Sequence, residues 1–280
     1  MSSRSERVTP RRLRRWGLPD PGDSKKTRGR VMVVGGSRRS PGAALLAGEA
    51  ALRVGAGRLG VVVPGSIDAW AAAALPEAAV FALPEDASDP IRGALRTELA
   101  SADAVLVGPG FDDPDETRGT LVAVAGTGPA CLVLDAFALG VLPGVPRGAL
   151  PPVVVLNPNL EEAALLLGRE LGRDRVVDVV AIARRFDAVV NCYGVVADPT
   201  GRAWRVSAGG AGLGTSGSGD VLAGAIAGFA ARGIEPLRAA VWGSWVHARA
   251  GDRLTARAGI GFLARELAAE LPAALLEVGA

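Results

Sequence analysis

The sequence predicts one large α/β domain: a doubly wound, mostly parallel sheet with helices on both faces. Three observations carry this expectation. Short apolar, β-branched runs alternate with small-residue stretches of helical spacing, as repeated βαβ units require. Hydrophobic residues make up 49% of 280 residues, enough for one large core. Aromatics are only 4%, so helices should pack on the sheet through Ala, Gly and Val.

Residues 1–18 read as a basic, flexible arm, because Arg4, Arg7, Arg11, Arg12, Arg14 and Arg15 face a single acid, Glu6, with no apolar periodicity. A solvated tail is the expected role, with a phosphate-binding arm as the minor alternative. Residues 19–280 form the single catalytic domain. Pro, Gly and charge at 18–29 make a loop that feeds a strand at 30–34, ended by Gly35 and Gly36. A small-residue helix at 42–54 and a strand at 59–63 complete a βαβ unit with parallel pairing and a right-handed crossover.

The alternation continues with a helix at 67–74, a strand at 79–82, a helix at 91–100 and a strand at 104–107. Further strands fall at 131–134, 153–156 and 188–191, with helices at 160–167 and 176–186. Residues 194–206 read as a hairpin around Pro199, Thr200 and Gly201 that extends the sheet antiparallel. Helices at 219–231, 236–254 and 260–270 close the chain, which has no internal repeat.

A net charge of +2 supplies no global basic field for nucleic acid or an anionic membrane. Cys131 and Cys192 are isolated, without disulfide or zinc spacing, which fits a reducing cytoplasm. Neither a membrane-length apolar run nor a secretory signal is evident, so a soluble, cytoplasmic protein is expected. The apolar segment 239–246 fits an oligomer interface and a buried helix equally well.

The chemistry concentrates at residues 212–224, GLGTSGSGDVLAG, a glycine-rich loop entering an apolar helix. Unpaired N–H groups at Ser218, Gly219 and Asp220 would meet a phosphate there, and Gly217 and Gly219 would let it approach. Asp220 is either a helix N-terminal charge or the base that takes a proton from an attacking hydroxyl. No GxxxxGK[ST] motif is present, and GLGTSG lies too late in the chain for a dinucleotide fingerprint. His247, the single histidine, has the spacing of a packed residue relative to Trp242 and Trp245, and no hydrolase triad is evident.

Gly217-Ser218-Gly219-Asp220 followed by Val221-Leu222-Ala223-Gly224 resembles the signature of the ribokinase-like NAD(P)H-hydrate dehydratases. Gly35-Gly36-Ser37, Gly42-Ala43-Ala44, Arg53 to Gly57, Val107-Gly108-Pro109-Gly110 and Leu132 to Ala136 resemble that family's blocks in the same order. The resemblance implies a ribokinase-like fold and phosphoryl transfer from ADP (or ATP) to the hydroxyl of hydrated NADH or NADPH. Elimination then gives the reduced dinucleotide, AMP and phosphate. It further implies Asp220 as base and Ala43, Gly110, Asn159 and Asp220 against the hydrated substrate. Gly217, Ser218, Gly219, Cys192 and Gly194 would line the adenine nucleotide, with Mg²⁺ bridging its phosphates. A functional partnership with an NAD(P)H-hydrate epimerase is implied as well.

Three departures stand out. Asn159 replaces the histidine of the family's Thr-Pro-His-x-x-Glu, so that contact cannot become cationic. Cys192 or Tyr193 stands where the family has Lys before Gly194. Phe137 stands where the family often repeats an Asp, while Asp135 is kept, as site residue or loop cap. A small-alcohol kinase of the same superfamily and a nucleotide-binding paralogue with impaired catalysis are the rival readings.

Overall fold

The computed structural model describes residues 5–279. Its strands are β1 (Ser5–Arg7), β2 (Arg30–Val34), β3 (Arg58–Val63), β4 (Ala78–Ala82) and β5 (Ala104–Val107). They continue with β6 (Leu132–Leu134), β7 (Val154–Leu156), β8 (Val189–Cys192), β9 (Val195–Ala197) and β10 (Ala203–Arg205). All join one sheet in the order β1-β10-β9-β8-β7-β6-β5-β2-β3-β4. From β4 to β8 every neighbouring pair is parallel, and β9 and β10 add the expected antiparallel hairpin.

Strand periodicity divides the core in two. Val31 and Val33 of β2 point into one apolar cluster, while Met32 and Val34 point into the other. The first cluster receives α1 (Pro10–Trp16), α2 (Gly42–Arg53), α3 (Asp68–Ala74), α9 (Ser218–Ala231), α10 (Pro236–Ala258) and α11 (Ala264–Leu276). The second receives α4 (Gly93–Ala100), α5 (Pro114–Ala125), α6 (Phe137–Val141), α7 (Leu160–Leu167) and α8 (Arg175–Phe186). Both faces are thus covered, as a parallel sheet requires.

Small residues set the closest helix contact. A Cβ on Gly224 would stand 2.0 Å from the Ala47 carbonyl oxygen, and one on Gly228 2.7 Å from that of Ala51. In this register α9 runs alongside α2 in the same direction, so both helices begin at the carboxyl end of the strands.

The expected flexible arm is corrected from residue 5 onward; residues 1–4 lie outside the described residues. β1 pairs with β10, and α1 is capped by the Thr9 side chain, starts at Pro10 and ends at Gly17 with φ 66°. Leu13 is fully buried, and Trp16 meets Trp204 edge-on with ring centroids 4.9 Å apart. Leu13 and Trp16 share one helix face, while the arginines spread over the other. A seven-residue stripe of this kind is hidden by so much charge.

Other differences have local causes. α5 was not expected, because its interior (Thr120-Leu121-Val122-Ala123-Val124) is strand-like. Asp113 makes it a helix by accepting hydrogen bonds from the Asp115 and Glu116 amides, both at 2.9 Å, with Pro114 as the first helical residue. The last helix begins at Ala264 rather than residue 260, after Gly259 turns with φ 65°, and it continues through Pro272. Segment 239–246 is buried within the chain, with Trp242 and Val246 fully covered, so its apolarity is explained by the core rather than by an oligomer interface.

Leu13→Ala is expected to lower unfolding free energy by about 2–5 kcal/mol, measured by urea denaturation. An unchanged midpoint would restore the flexible-arm description.

Candidate active site

Doubly wound sheets open a ligand crevice at the carboxyl ends of their strands. Here the loops after β2, β5, β6 and β7 and the start of α9 meet at that edge, since α9 packs on β2, β5 and β6. Gly36, with φ 81°, donates its N–H to the Pro109 carbonyl at 2.7 Å and ties the first two loops together. Gly110, with φ 79°, is fixed by closeness: a Cβ there would lie 2.5 Å from the Ser40 carbonyl oxygen and 3.0 Å from the Ala43 Cβ. Ala43 and Gly110, expected to act together, therefore form one wall.

The glycine-rich loop supplies the opposing wall. Gly217 caps α9 in the left-handed region with φ 88° and no side-chain cap bond. Its missing side chain is required by the protein, because a Cβ would meet Leu46 at 2.7 Å and Ala264 at 2.9 Å. Gly219 differs. It is exposed, and a Cβ there meets nothing within 4 Å, so only an incoming ligand would need that space. Among the described residues, the N–H groups of Gly219 and Asp220 make no backbone hydrogen bond and remain for an anion. The Ser218 N–H is instead used, donating to the Thr215 carbonyl at 3.2 Å, and the buried Ser218 hydroxyl faces His247.

Asp220 sits in the first turn of α9, and burial raises its carboxyl to about 6. Near neutral pH it is ionised but can still accept a proton. Asp135 lies at the end of β6 and is 5% exposed; burial first, then the Asp220 carboxylate, hold it well above the usual carboxylate range. The Asn157 side-chain amide donates to it at 2.9 Å. Its neighbour Ala136 is held at φ 50°, a strained conformation for a residue with a Cβ. Because the Asp220 carboxylate contributes to its upward shift, Asp135 stands near the candidate base as well as at the strand end.

Two expected contacts change. The Asn159 side-chain oxygen accepts from the Glu162 N–H at 2.9 Å while Glu162 reaches back to the Asn159 N–H, a capping box for α7. One lone pair of its oxygen is thereby used, and its amide NH₂ has no partner among the described residues. Cys192 is fully buried, and burial raises its thiol to about 11, so it does not line a nucleotide site. Gly194, with φ 75°, does line a cavity of about 570 Å³ beyond the β8–β9 turn. Arg173, Arg175, Tyr193, Arg205 and Ser207 share its wall. Arg175 lies over the Tyr193 ring, 5.8 Å from its centroid. Arg175 and Arg205 lie 30 residues apart in sequence and come together only because α8 packs on β8 and β9, beside β10.

A family model for NAD(P)H-hydrate dehydratase matches residues 31–273. The chain belongs to the NAD(P)H-hydrate dehydratase family. An ADP-dependent (S)-NAD(P)H-hydrate dehydratase of Xanthomonas campestris is 44% identical, with 96% of this chain and 95% of that protein covered. A bifunctional NAD(P)H-hydrate repair enzyme of Moorella thermoacetica is 36% identical over 82% of this chain, which spans about half (46%) of that longer relative. Among solved structures, the ADP/ATP-dependent dehydratase of Bacillus subtilis, co-crystallised with ATP and Mg²⁺, superposes with a TM-score of 0.84 at 26% identity. That match covers 98% of this chain and 99% of the other. The fold is ribokinase-like, shared at a TM-score of 0.84 with a ribokinase-like protein of Enterococcus faecalis.

The two glycines of this dehydratase-family loop make opposite predictions. Gly217→Ala should lower the melting temperature, whereas Gly219→Ala should leave it near the wild-type value and weaken ADP binding about tenfold or more, read by calorimetric titration. Equal ADP affinity in Gly219→Ala and wild type would remove the phosphate from that helix end.

Proposed function

We propose that this chain is an ADP-dependent (S)-NAD(P)H-hydrate dehydratase that restores NADH and NADPH from their hydrated forms. The observation that carries the reading is the pairing of an open anion cradle at Gly219 with a half-buried base, Asp220, one residue on. In this reading the terminal phosphate of ADP lies on the free N–H groups of α9. Asp220 takes the proton of the ring hydroxyl as its oxygen bonds to phosphorus, and the bond to the AMP moiety breaks. The new phosphate ester then leaves with the carbon–oxygen electron pair while the ring nitrogen lone pair moves in. Loss of a proton from the adjacent carbon completes the reduced ring. Ala43 and Gly110 shape the substrate wall, where a larger residue would fill the crevice.

Mg²⁺, when bound with the nucleotide, supplies charge neutralisation at the phosphates. Among the described residues no group of three His, Cys, Asp or Glu side chains is arranged for a metal. Nucleotide phosphate oxygens and water, with one or two carboxylates, are the usual donors of this ion. Arg173, Arg175 and Arg205 place cationic donors around Gly194 where the lysine is absent, and Tyr193 offers a face for stacking. A cytoplasmic setting and an epimerase acting on the same substrate pool complete the proposal.

The deciding assay follows recovery of reduced-nicotinamide absorbance from hydrated NADH on adding ADP and Mg²⁺. Asp220→Asn should lose about 10²–10⁴-fold in kcat with folding intact. Because the folded carboxyl titrates at about 6, kcat/KM should fall as pH drops through that value, a region in which an ordinary carboxylate would stay ionised. Absence of recovery, with a phosphorylated alcohol accumulating instead, would point to the kinase chemistry. Arg175→Ala should raise the KM for ADP about 10- to 100-fold while leaving that for the hydrated dinucleotide near its wild-type value.

A further inference from the structure

α10 is apolar along most of its buried length, with Trp242, Trp245 and Val246 in the core. Yet Ser244 and His247, one helical turn apart and both buried, put two polar groups on the same face. Each reaches a different wall of the crevice.

The Ser244 hydroxyl donates to the Asn191 side-chain oxygen at 2.8 Å. Asn191 donates through its amide to the Asn157 oxygen at 2.7 Å, and Asn157 donates to the Asp135 carboxyl at 2.9 Å. Every donor points the same way, so a hydrogen-bond chain runs from α10 across the ends of β8 and β7 to the carboxyl at the end of β6.

His247 acts on the other wall. Its Nε2 lies 3.0 Å from the Ser218 carbonyl oxygen and 3.1 Å from the Ser218 hydroxyl. A carbonyl only accepts, so Nε2 carries the ring proton and donates to it. Burial pushes the imidazole down to about 4, which keeps the ring neutral, and the carbonyl contact selects this tautomer. The first turn of α9 has no side-chain cap at Gly217 and follows a glycine-rich loop, so it lacks the usual means of fixing its geometry.

We propose that Ser244 and His247 are positioning residues, which hold the first turn of α9 and the strand-end carboxyl Asp135 in register from one face of α10. The anion cradle and Asp220 then share a frame with the crevice floor. The proposal rests on the functional reading above for where the phosphate and base lie. Both residues are buried, so each acts through its hydrogen-bond partners, Asn191 and Ser218, rather than on a ligand directly.

The test uses His247→Leu, which removes the donor, and His247→Gln, whose amide nitrogen can reach the same carbonyl. Ser244→Ala tests the other arm. In ligand-free protein, amide exchange at Val221 and Leu222 should accelerate in His247→Leu while the sheet amides keep their protection, and His247→Gln should restore it. In the dehydratase assay His247→Leu should lose about 10- to 100-fold in kcat with the KM for hydrated NADH almost unchanged. Ser244→Ala should lose less, about three- to tenfold. Unchanged local exchange in His247→Leu, or equal impairment of the Leu and Gln variants with exchange raised throughout the domain, overturns the His247 assignment. Unchanged kcat in Ser244→Ala overturns that of Ser244. The exchange readout needs no substrate, so it decides on His247 even if wild-type protein fails to turn over, a result that would sink only the dehydratase reading.

Discussion

Everything at the crevice depends on how closely α9 lies against α2. Glycines at 224 and 228 bring the helix backbones together where a single methyl would strike the carbonyls of Ala47 and Ala51. This contact aims the first turn of α9, with its free N–H groups, at the carboxyl edge of the sheet. A wider spacing would move Asp220 away from the wall formed by Ala43 and Gly110. The abundance of small residues and the scarcity of aromatics thus serve chemistry as well as packing.

Electrostatics at this edge follow from burial more than from ion pairing. Asp135 and Asp220 are both raised, first by desolvation, and neither appears in a salt bridge among the described residues. No cationic side chain is among the causes of the Asp220 shift, and Arg173, Arg175 and Arg205 gather instead around Gly194. His247, though a neighbour of the cradle, is neutral and contributes a hydrogen bond rather than charge. Such an arrangement leaves a base able to gain a proton near neutral pH.

The doubly wound alternation, the hairpin and the loop ending at Asp220 were legible because each is written in neighbouring residues: apolar runs, turn residues, glycines. α1 and α5 were less so. A short stripe of Leu13 and Trp16 is masked by arginines, and the strand-like interior of α5 competes with the capping signal of Asp113 and Pro114. For Asn159, sequence order suggests a substrate contact in place of a histidine, and the structure adds a second role, since its oxygen also caps α7. Cys192 occupied the right place in order and the wrong one in space, since strand alternation turned its thiol into the core while Tyr193 and Gly194 faced the cavity.

By itself the sequence determined the class of fold and singled out the helix end and the carboxyl proposed as anion cradle and base, all of which arise within short stretches of chain. Tertiary structure decided that Gly219 rather than Gly217 keeps space for a ligand. It also decided that Asp135 is desolvated, that three arginines gather near Gly194, and that one face of α10 reaches both walls of the crevice. The physical reason is the same for each: helix and turn signals are local, whereas desolvation and hydrogen-bond partnership belong to residues that only the sheet order and helix packing bring together.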